Sequence, residues 1–495
     1  MSKRGAVLYL AIGLLALGVR LVYVASLPPG AITESIDALG YDQLARNLRA
    51  GHGLSLCEAP PYYPTNIRTP LYPVFVAAVY TLAGERPVVV ALVQAILDSV
   101  TTLWVGAIAM RLAGRRTGLI AATVYALSLG QVQFAGTLMT ETLLAFLIAL
   151  TVWIWMEFIA PHQNAARPRT ALLCGALCAL CALVKPNALA LGAIWAAATL
   201  FALWQRTSRR ALMLAACVLI ANVMLLFPWL ARNHAIFGRW YLANSFQGGL
   251  IRVTAPVTLA WVRGVPAIPW SPPVEAIYNE LVTQTAARHG WTPALWCDIP
   301  PAEFEQHERQ VMETAWAAIR PHLDIVWHVH WLGFLRGWAP ENFSHWYHHL
   351  GLGEWSSIGV PGGGYANAIE FAWYGDWGAA IAEAIVNPWK RLSPVARVIW
   401  FGWGIAYAFG GLLALRGAWQ LRHQPAALFG LLATILYTVF LPGPISSLRF
   451  RVPVVPLIAV LMAAGCGMHA VPALSLFSKQ AAQANGLSST FNRSP

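Results

Sequence analysis

The chain has 495 residues, of which 58% are hydrophobic and only 11% charged, and its mean hydropathy is +0.55. Soluble globular proteins carry roughly 25% charged residues, so this composition excludes a soluble protein and indicates one that crosses a membrane several times. The net charge of +12 does not indicate a nucleic-acid-binding protein, because many of the arginines lie in pairs between apolar segments, as in the cytoplasmic loops of membrane proteins.

The first apolar segment, about residues 6–27, is expected to be a membrane helix that is retained as a signal anchor, since no small-residue cleavage site follows it. Lys3 and Arg4 place the N-terminus in the cytoplasm. The loop from about 28 to 90 is then extracytoplasmic. Its apolar part, Pro70 to Ala83, is short for a span and is expected to lie along the membrane interface.

Further apolar segments are expected to cross the membrane, and the stretch from Thr170 to Trp204 is expected to cross it twice. That stretch is interrupted at Lys185 and Pro186. Proline removes a backbone donor and disfavours helix in the residue before it, so two short spans are expected to meet at Lys185 on the outer side. The other segments are about residues 91–112, 117–134, 137–159, 211–231, 396–415, 425–441 and 453–472.

The predicted fold is an all-α polytopic membrane protein with about 10–13 transmembrane helices. The basic loops at Arg115, Arg167 and Arg209 then all lie in the cytoplasm, as the positive-inside rule requires. An extracytoplasmic domain of mixed composition, rich in Trp and Pro, is expected between the two membrane regions. The predicted domains are an N-terminal transmembrane region including the loop 28–90 (1–231), the extracytoplasmic domain (232–395), and a C-terminal transmembrane region with a cytoplasmic tail (396–495).

Asp37 is the candidate catalytic residue. It lies about ten residues beyond the first span, and an ionisable group at the membrane boundary indicates a functional site. The carboxylate could act as a general base for an acceptor hydroxyl. Alternatively, it could cap the helix that carries Tyr41. Glu34 and Asp42 are competing carboxylates, and Glu34 is the more serious one.

Several cations map to the outer boundary, away from the cytoplasmic clusters. They suit a lipid phosphate, because a phosphodiester leaving group needs charge-assisted hydrogen bonds as negative charge develops on it. For any one of them, the alternative is an arginine or lysine that reaches lipid head groups. Those assigned to the donor phosphate are Arg68, Lys185, Arg449 and Arg451.

Tyr41, Glu141 and Arg232 are expected to contact the substrates. Glu141 starts the fourth span from the outer side. Its carboxylate could bind a sugar hydroxyl, or it could form a structural ion pair with an arginine.

The histidines and cysteines of the sequence indicate no metal site. His345, His348 and His349 lie close together, but their spacing matches no zinc motif, so no metal site is predicted from them. Cys57 and Cys297 are the only cysteines expected outside the membrane, and in an oxidising periplasm they could form a disulfide.

Four motifs carry a resemblance to a known family. The loop around Asp37-Ala-Leu-Gly-Tyr-Asp and Arg68-Thr-Pro, together with three later motifs, resembles the membrane glycosyltransferases of the GT-C fold, in the bacterial branch related to protein mannosyltransferases and the lipid A aminoarabinose transferase. Lys185 stands where the family usually has arginine, and Ala38 stands where several members have a second acidic residue. The later motifs are Leu183-Val-Lys-Pro, Phe227-Pro-Trp-Leu-Ala-Arg-Asn and Arg449-Phe-Arg-Val-Pro-Val-Val-Pro.

The resemblance implies a GT-C-like fold and transfer of a sugar from a polyprenyl-phosphate donor with inversion at the anomeric carbon. It implies a hexosyl- or pentosyltransferase of the bacterial inner membrane, with the active site facing the periplasm. The acceptor could be a glycan, a lipid or a protein. No cofactor is required, and a divalent metal remains possible.

The alternative is a transporter or flippase of lipid-linked saccharides. Such a protein is expected to contain internal repeats and ionisable residues near the bilayer midplane. The sequence contains no evident repeat, and its polar residues gather at one face.

Overall fold

The computed structural model describes residues 3–159, 168–204, 208–340, 343–349, 351 and 364–467. Within these ranges the chain forms helices joined by turns and loops, and the one β-type pairing is an isolated bridge between Ser55 and Pro64. The prediction of an all-α, multi-pass membrane protein is confirmed. Seven helices in the described ranges are long and apolar enough to cross a membrane: Gly5–Ser26, Pro87–Ala113, Glu141–Phe158, Pro186–Leu203, Ser208–Phe237, Pro394–His423 and Leu448–Gly465.

A bent helix pair and three shorter apolar helices accompany these spans. The pair, Arg115–Ala126 and Leu129–Ala135, is bent by 54°, where the sequence predicts a single span. Leu71–Ala83 has 13 residues and is therefore roughly 20 Å long, too short for a hydrocarbon core of about 30 Å. The other two shorter helices are Pro168–Val184 and Pro425–Phe440.

The long apolar stretch breaks at Lys185, as the sequence predicts. Pro168–Val184 ends there, the Lys185 backbone is extended with φ −149° and ψ 121°, and Pro186–Ala188 forms one turn before Leu191–Leu203. The proline at 186 disfavours the helical conformation at Lys185. Lys185 is therefore presented at a break between two helices.

Glycines allow the membrane helices to pack closely. A Cβ atom at Gly175 would lie 2.0 Å from the carbonyl oxygen of Val218, and one at Gly417 would lie 1.8 Å from that of Leu461. Small residues are favoured at such crossings because van der Waals packing drives helix association in lipid. Replacing either glycine would force the helices apart.

Arg20 and Asp98 form a fully buried ion pair within the membrane region. Arg20 also donates to the carbonyl oxygens of Ala16 and Ala126, and Tyr125 donates to Asp98. A charge inside the bilayer is costly unless it is paired. This pair therefore links the first helix to Pro87–Ala113 with both charges compensated.

Within residues 232–395, the described helices are joined by turns and loops. Buried side chains such as Val274, Ala315 and Ile319 give them a core of their own. The α-helices are Ser245–Gly249, Ala255–Val262, Pro272–His289, Pro301–Ile319, Leu323–Arg336, Phe343–His349, Gly364–Trp373, Trp377–Ile381 and Asn387–Arg391, in addition to the last turns of Ser208–Phe237 and the start of Pro394–Gln420.

This region is fastened to the first loop by a covalent link and by hydrogen bonds. Cys57 and Cys297 form a disulfide with a Cα–Cα distance of 5.4 Å, which confirms the predicted pairing. The Asn66 side chain donates to Tyr241 and to the buried carboxylate of Glu305. The loop that carries the candidate catalytic residue is thus held in place by this region.

Candidate active site

Asp37 lies at the start of the Ile36–Arg49 helix, but it does not cap that helix. The cap is Ser35, whose Oγ accepts a hydrogen bond of 3.2 Å from the Ala38 backbone N–H. The capping interpretation of Asp37 is therefore wrong. Its carboxylate is free for contacts with other parts of the chain, and it sits near the positive end of the helix dipole.

Two arginines bind Asp37, one at each carboxylate oxygen. Arg68 donates from Nη2 to Oδ1, and Arg449 donates from Nη1 to Oδ2. Burial raises the pKa of Asp37, but the positive charges of Arg449 and Arg68 outweigh burial and lower that pKa to about 2. Asp37 is therefore ionised and fully engaged in ion pairs.

Arg449 joins Asp37 to a second carboxylate, Glu141. Its Nε lies 2.6 Å from Glu141 Oε1, and Lys185 Nζ lies 2.7 Å from the same oxygen. Thr140 Oγ1 donates to the other oxygen, Oε2, at 3.1 Å. We call this set the charge network; its members in order are Arg68, Asp37, Arg449, Glu141 and Lys185.

The charge network has an open end and a closed end. The side chains of Asp37, Arg68 and Arg449 are 24%, 27% and 25% exposed. At the other end, Glu141 is 0% exposed and Lys185 is 9% exposed. A ligand that arrives from solvent therefore reaches Asp37 and its two arginines first.

Each member of the charge network stands at the beginning of a helix or at a break. Asp37 and Glu141 lie in first helical turns. Arg68 stands three residues before Leu71–Ala83, and Arg449 belongs to the Leu448–Arg451 turn before Val455–Gly465. The network therefore joins the ends of several helices. The apolar parts of these helices pack elsewhere in the molecule.

Tyr41 lies beside the network. It is 4% exposed, and the Arg68 guanidinium lies over its ring at 5.2 Å from the centroid. Its ring packs edge-on against Tyr72, with centroids 4.8 Å apart. Tyr41 therefore positions Arg68 by a cation–π contact.

Arg232 and Arg451 are placed outside the charge network. Arg232 Nη1 donates to the carbonyl oxygen of Thr65 at 3.0 Å and so holds the backbone just before Arg68. Arg451 is buried, and its Nη1 donates to the carbonyl oxygens of Gly337 and Ala339 at 2.9 and 2.8 Å. The observed contacts of both arginines thus anchor backbone segments.

The competing carboxylates are also outside the network. Asp42 accepts from Arg46 at 2.8 Å and from the Tyr80 hydroxyl, so it helps to fix the Ile36–Arg49 helix to Leu71–Ala83. Glu34 is exposed and belongs to none of the ion pairs that the described residues form. Of the three neighbouring carboxylates, Asp37 is the one that belongs to the charge network.

The histidine segment forms aromatic contacts. His345 Nε2 lies 2.7 Å from the Tyr23 hydroxyl, and the rings of Tyr23, His345 and Trp346 pack together. Within the described part of the chain, no three His, Cys, Asp or Glu side chains are grouped as metal ligands.

Residues 67–231 match the sequence profile of a family described as dolichyl-phosphate-mannose-protein mannosyltransferase. The matched range is about a third of the chain and contains Arg68, Glu141 and Lys185. Asp37 and Arg449 lie outside it. The match confirms the resemblance to membrane glycosyltransferases related to the protein mannosyltransferases.

Several solved structures are similar to the chain, and two of them serve as examples. One is the oligosaccharyltransferase AglB from the archaeon Archaeoglobus fulgidus in complex with an inhibitory peptide and a dolichol-phosphate, with 14% identity, coverage of 100% of this chain and 52% of that chain, and a TM-score of 0.49. The other is ArnT from Cupriavidus metallidurans bound to undecaprenyl phosphate, with 16% identity, coverage of 93% and 78%, and a TM-score of 0.39. The chain thus spans about half the length of the oligosaccharyltransferase. No protein of curated function matches the sequence.

Proposed function

We propose that the chain is an integral membrane glycosyltransferase. It moves a sugar from a polyprenyl-phosphate donor to an acceptor hydroxyl on the extracytoplasmic side, and Asp37 is the general base. The observation that carries this proposal is the charge network, which places a partly exposed carboxylate between cations suited to a phosphate. The family match over residues 67–231 supports a lipid-phosphate donor.

The charge of the network suits a phosphodiester. Three cations and two carboxylates leave one net positive charge, and a sugar phosphodiester carries one negative charge. At the reaction step, the acceptor hydroxyl gives its proton to Asp37 and its oxygen bonds to the anomeric carbon. The bond from that carbon to the phosphate oxygen breaks, and the electron pair leaves with the phosphate. The leaving polyprenyl phosphate gains a negative charge just as Asp37 loses one, so the cations of the network stabilise the product.

Inversion follows from the geometry we assign. A retaining mechanism needs a second carboxylate that reaches the anomeric carbon as a nucleophile. Glu141 is fully buried and occupied by Lys185 and Arg449. A single displacement with Asp37 as the base is therefore the mechanism that this site supports.

The position of each cation in the structure indicates its proposed role. Arg68 and Arg449, at the open end, bind the phosphate directly with charge-assisted hydrogen bonds. Lys185 adds positive charge from behind Arg449, and Tyr41 orients Arg68. Arg232 and Arg451 support the site by holding backbone.

We place the protein in the bacterial inner membrane, with the charge network facing the periplasm. The acceptor is a glycan, a lipid or a protein, and the sugar is a hexose or a pentose. The proposed reaction requires no cofactor, because the network's own cations supply the positive charge that the leaving phosphate needs.

The alternative, a flippase for lipid-linked saccharides, predicts ionisable groups along a path through the bilayer. The charge network is one compact cluster joined by ion pairs, not a row of ionisable groups along such a path, and this supports an enzyme instead. The test has two parts: mass spectrometry of envelope glycans with and without the gene, and assays of the purified protein in liposomes. The enzyme predicts one missing sugar and transfer to an acceptor without transbilayer movement. Movement of labelled lipid-linked sugar without transfer would establish the flippase.

A further inference from the structure

The two arginines at the open end of the charge network bind Asp37 and are also the proposed ligands of the donor phosphate. Both oxygens of Asp37 accept hydrogen bonds from guanidinium groups, Oδ1 from Arg68 and Oδ2 from Arg449. A phosphate that binds the same arginines must use donors that Asp37 uses as well. Both anions therefore compete for one pair of guanidinium groups.

We propose that the donor phosphate displaces the Asp37 carboxylate from Arg449 and Arg68, so that donor binding is what frees Asp37 to act as a base. This inference rests on the proposed function for the identity of the donor and of the base. It adds an order to the reaction: phosphate first, proton transfer second.

A carboxylate held by two arginines is a poor proton acceptor. A general base works best when its pKa lies near the operating pH. Burial raises the pKa of the paired Asp37, but the two arginines outweigh burial and lower that pKa to about 2. Once the arginines bind the phosphate instead, its negative charge offsets their lowering effect on the pKa of Asp37, and the effect of burial remains. The base thus gains strength when the donor is in place.

Glu141 keeps Arg449 in position during this exchange. Arg449 reaches Asp37 through Nη1, but it reaches Glu141 through Nε, at the closed end of the network. Lys185 holds Glu141 from the other side at 2.7 Å. The guanidinium can therefore change its outer partner while its inner contact stays fixed. This makes Glu141 a positioning residue rather than a direct ligand of the sugar.

Arg68 has a comparable second hold. Its guanidinium lies over the Tyr41 ring at 5.2 Å, and that ring is buried against Tyr72. A cation–π contact survives a change of anion, because it uses the face of the guanidinium and leaves its N–H groups for the anion. Each arginine is thus held by a second contact, to Glu141 or to Tyr41, while its anionic partner at the open end can change.

The test is the binding of decaprenyl phosphate to the full-length protein in nanodiscs of neutral phosphatidylcholine. Asp37→Asn removes the competing charge and keeps the size of the side chain. Because the apparent affinity is proportional to the fraction of protein in which the site is free of its own carboxylate, this variant should bind on the order of tenfold more tightly than the wild type. The matched control is Asp42→Asn, which removes a carboxylate from the same helix outside the network and should bind as the wild type does.

Further arms identify the source of the effect. Decaprenol, which lacks the phosphate, should bind wild type and Asp37→Asn equally. Inorganic phosphate shows whether the anion alone suffices, and tighter binding of it by Asp37→Asn supports the same competition. If Asp37→Asn is poorly folded by size exclusion, Asp37→Ser provides a second variant without the charge.

Unchanged or weaker binding of decaprenyl phosphate by folded Asp37→Asn would overturn the inference. So would an equal gain for decaprenol, since the phosphate would then not be the cause. Neither result touches the proposed function, which is judged by turnover: an inactive variant with unchanged phosphate affinity keeps Asp37 as the base and removes only the exchange.

Discussion

Asp37 and Arg449 are separated by 412 positions in the chain and form an ion pair. Asp37 comes from the helix after the first span, and Arg449 comes from the turn that begins the last described one. Glu141 takes the other side of Arg449. The site therefore depends on the correct packing of the first, middle and last parts of the membrane region.

Arg449 and Arg451 stand two residues apart but should respond differently to mutation. Arg449→Ala removes a charged hydrogen-bond donor from the open end of the network and should weaken donor binding by about 1.5–3 kcal/mol. Arg451→Ala removes two bonds to backbone carbonyls and should lower thermal stability with little change in donor affinity. The Michaelis constant for the donor and the unfolding temperature of both variants separate the two roles. A larger loss of donor affinity in Arg451→Ala than in Arg449→Ala would refute this division.

The disulfide predicts a specific labelling pattern. Cys57 and Cys297 should resist thiol reagents in denatured, non-reduced protein and react after reductant is added. The free cysteines Cys217 and Cys466 serve as internal controls, because they should react in both conditions. Peptide mass spectrometry gives the answer, and labelling of Cys57 and Cys297 without reductant would show that the bond does not form. Loss of the bond by double substitution to serine should cost roughly 2–5 kcal/mol of stability.

The orientation of the chain can be tested by cysteine accessibility or reporter fusions. We expect Arg115, Arg167 and Arg209 in the cytoplasm and residues 240–390 outside; Arg167 lies beyond the described residues. The charge network should then face the extracytoplasmic side. A cytoplasmic position for residues 240–390 would rule out a periplasmic site, since the disulfide fastens this region to the loop of Asp37.

Acid should remove the contribution of Asp37 to stability. Its pKa is lowered to about 2 in the folded protein, against roughly 3.9 in an unfolded chain. A lowered pKa stabilises the folded state above the unfolded value, and this stabilisation is lost as pH falls through the folded value. The difference in unfolding temperature between wild type and Asp37→Asn should be constant above about pH 5 and shrink toward pH 2 to 3. A difference that grows with acid would mean that Asp37 is not held by its arginines.

The sequence predicts the break at Lys185 and singles out several of the charged residues that the structure brings together. Pro186 predicts the break at Lys185, and the cost of exposed charge in a membrane singles out Asp37, Glu141 and Arg449. Hydropathy also predicts most spans. These signals are local or compositional, so they are readable without knowledge of the packing.

Contacts between residues that are far apart in the sequence are not predictable in the same way. Arg449 and Arg451 have the same side chain and nearly the same position, but the turn Leu448–Arg451 directs one to Glu141 and the other to the carbonyls of Gly337 and Ala339. The contact between Asn66 and Glu305 spans 239 positions and is not predicted from the sequence. In the sequence, Glu305 is an ordinary glutamate. Its burial depends on tertiary packing, which leaves no pattern in the composition or in the spacing of apolar residues.

The identity of the helix cap is likewise not resolved by the sequence. Serine and aspartate are both good N-caps, and Ser35 stands two residues before Asp37. The helix starts at Ile36, so Ser35 takes the cap. A shift of two residues at a helix start is beyond what propensity resolves, yet it decides whether Asp37 is structural or available for chemistry.

The central claim is that Asp37 is the base, and turnover by the purified Asp37→Asn protein in lipid tests it most directly. With a polyprenyl-phosphate sugar and an acceptor that the wild type uses, we predict a loss of roughly 10²–10⁴ in turnover, because the amide cannot accept the proton. Asp42→Asn, measured in parallel, should retain turnover, since Asp42 is paired with Arg46 outside the network. Near-normal turnover by folded Asp37→Asn would contradict the account, show that Asp37 is structural, and make Glu34 the next carboxylate to test.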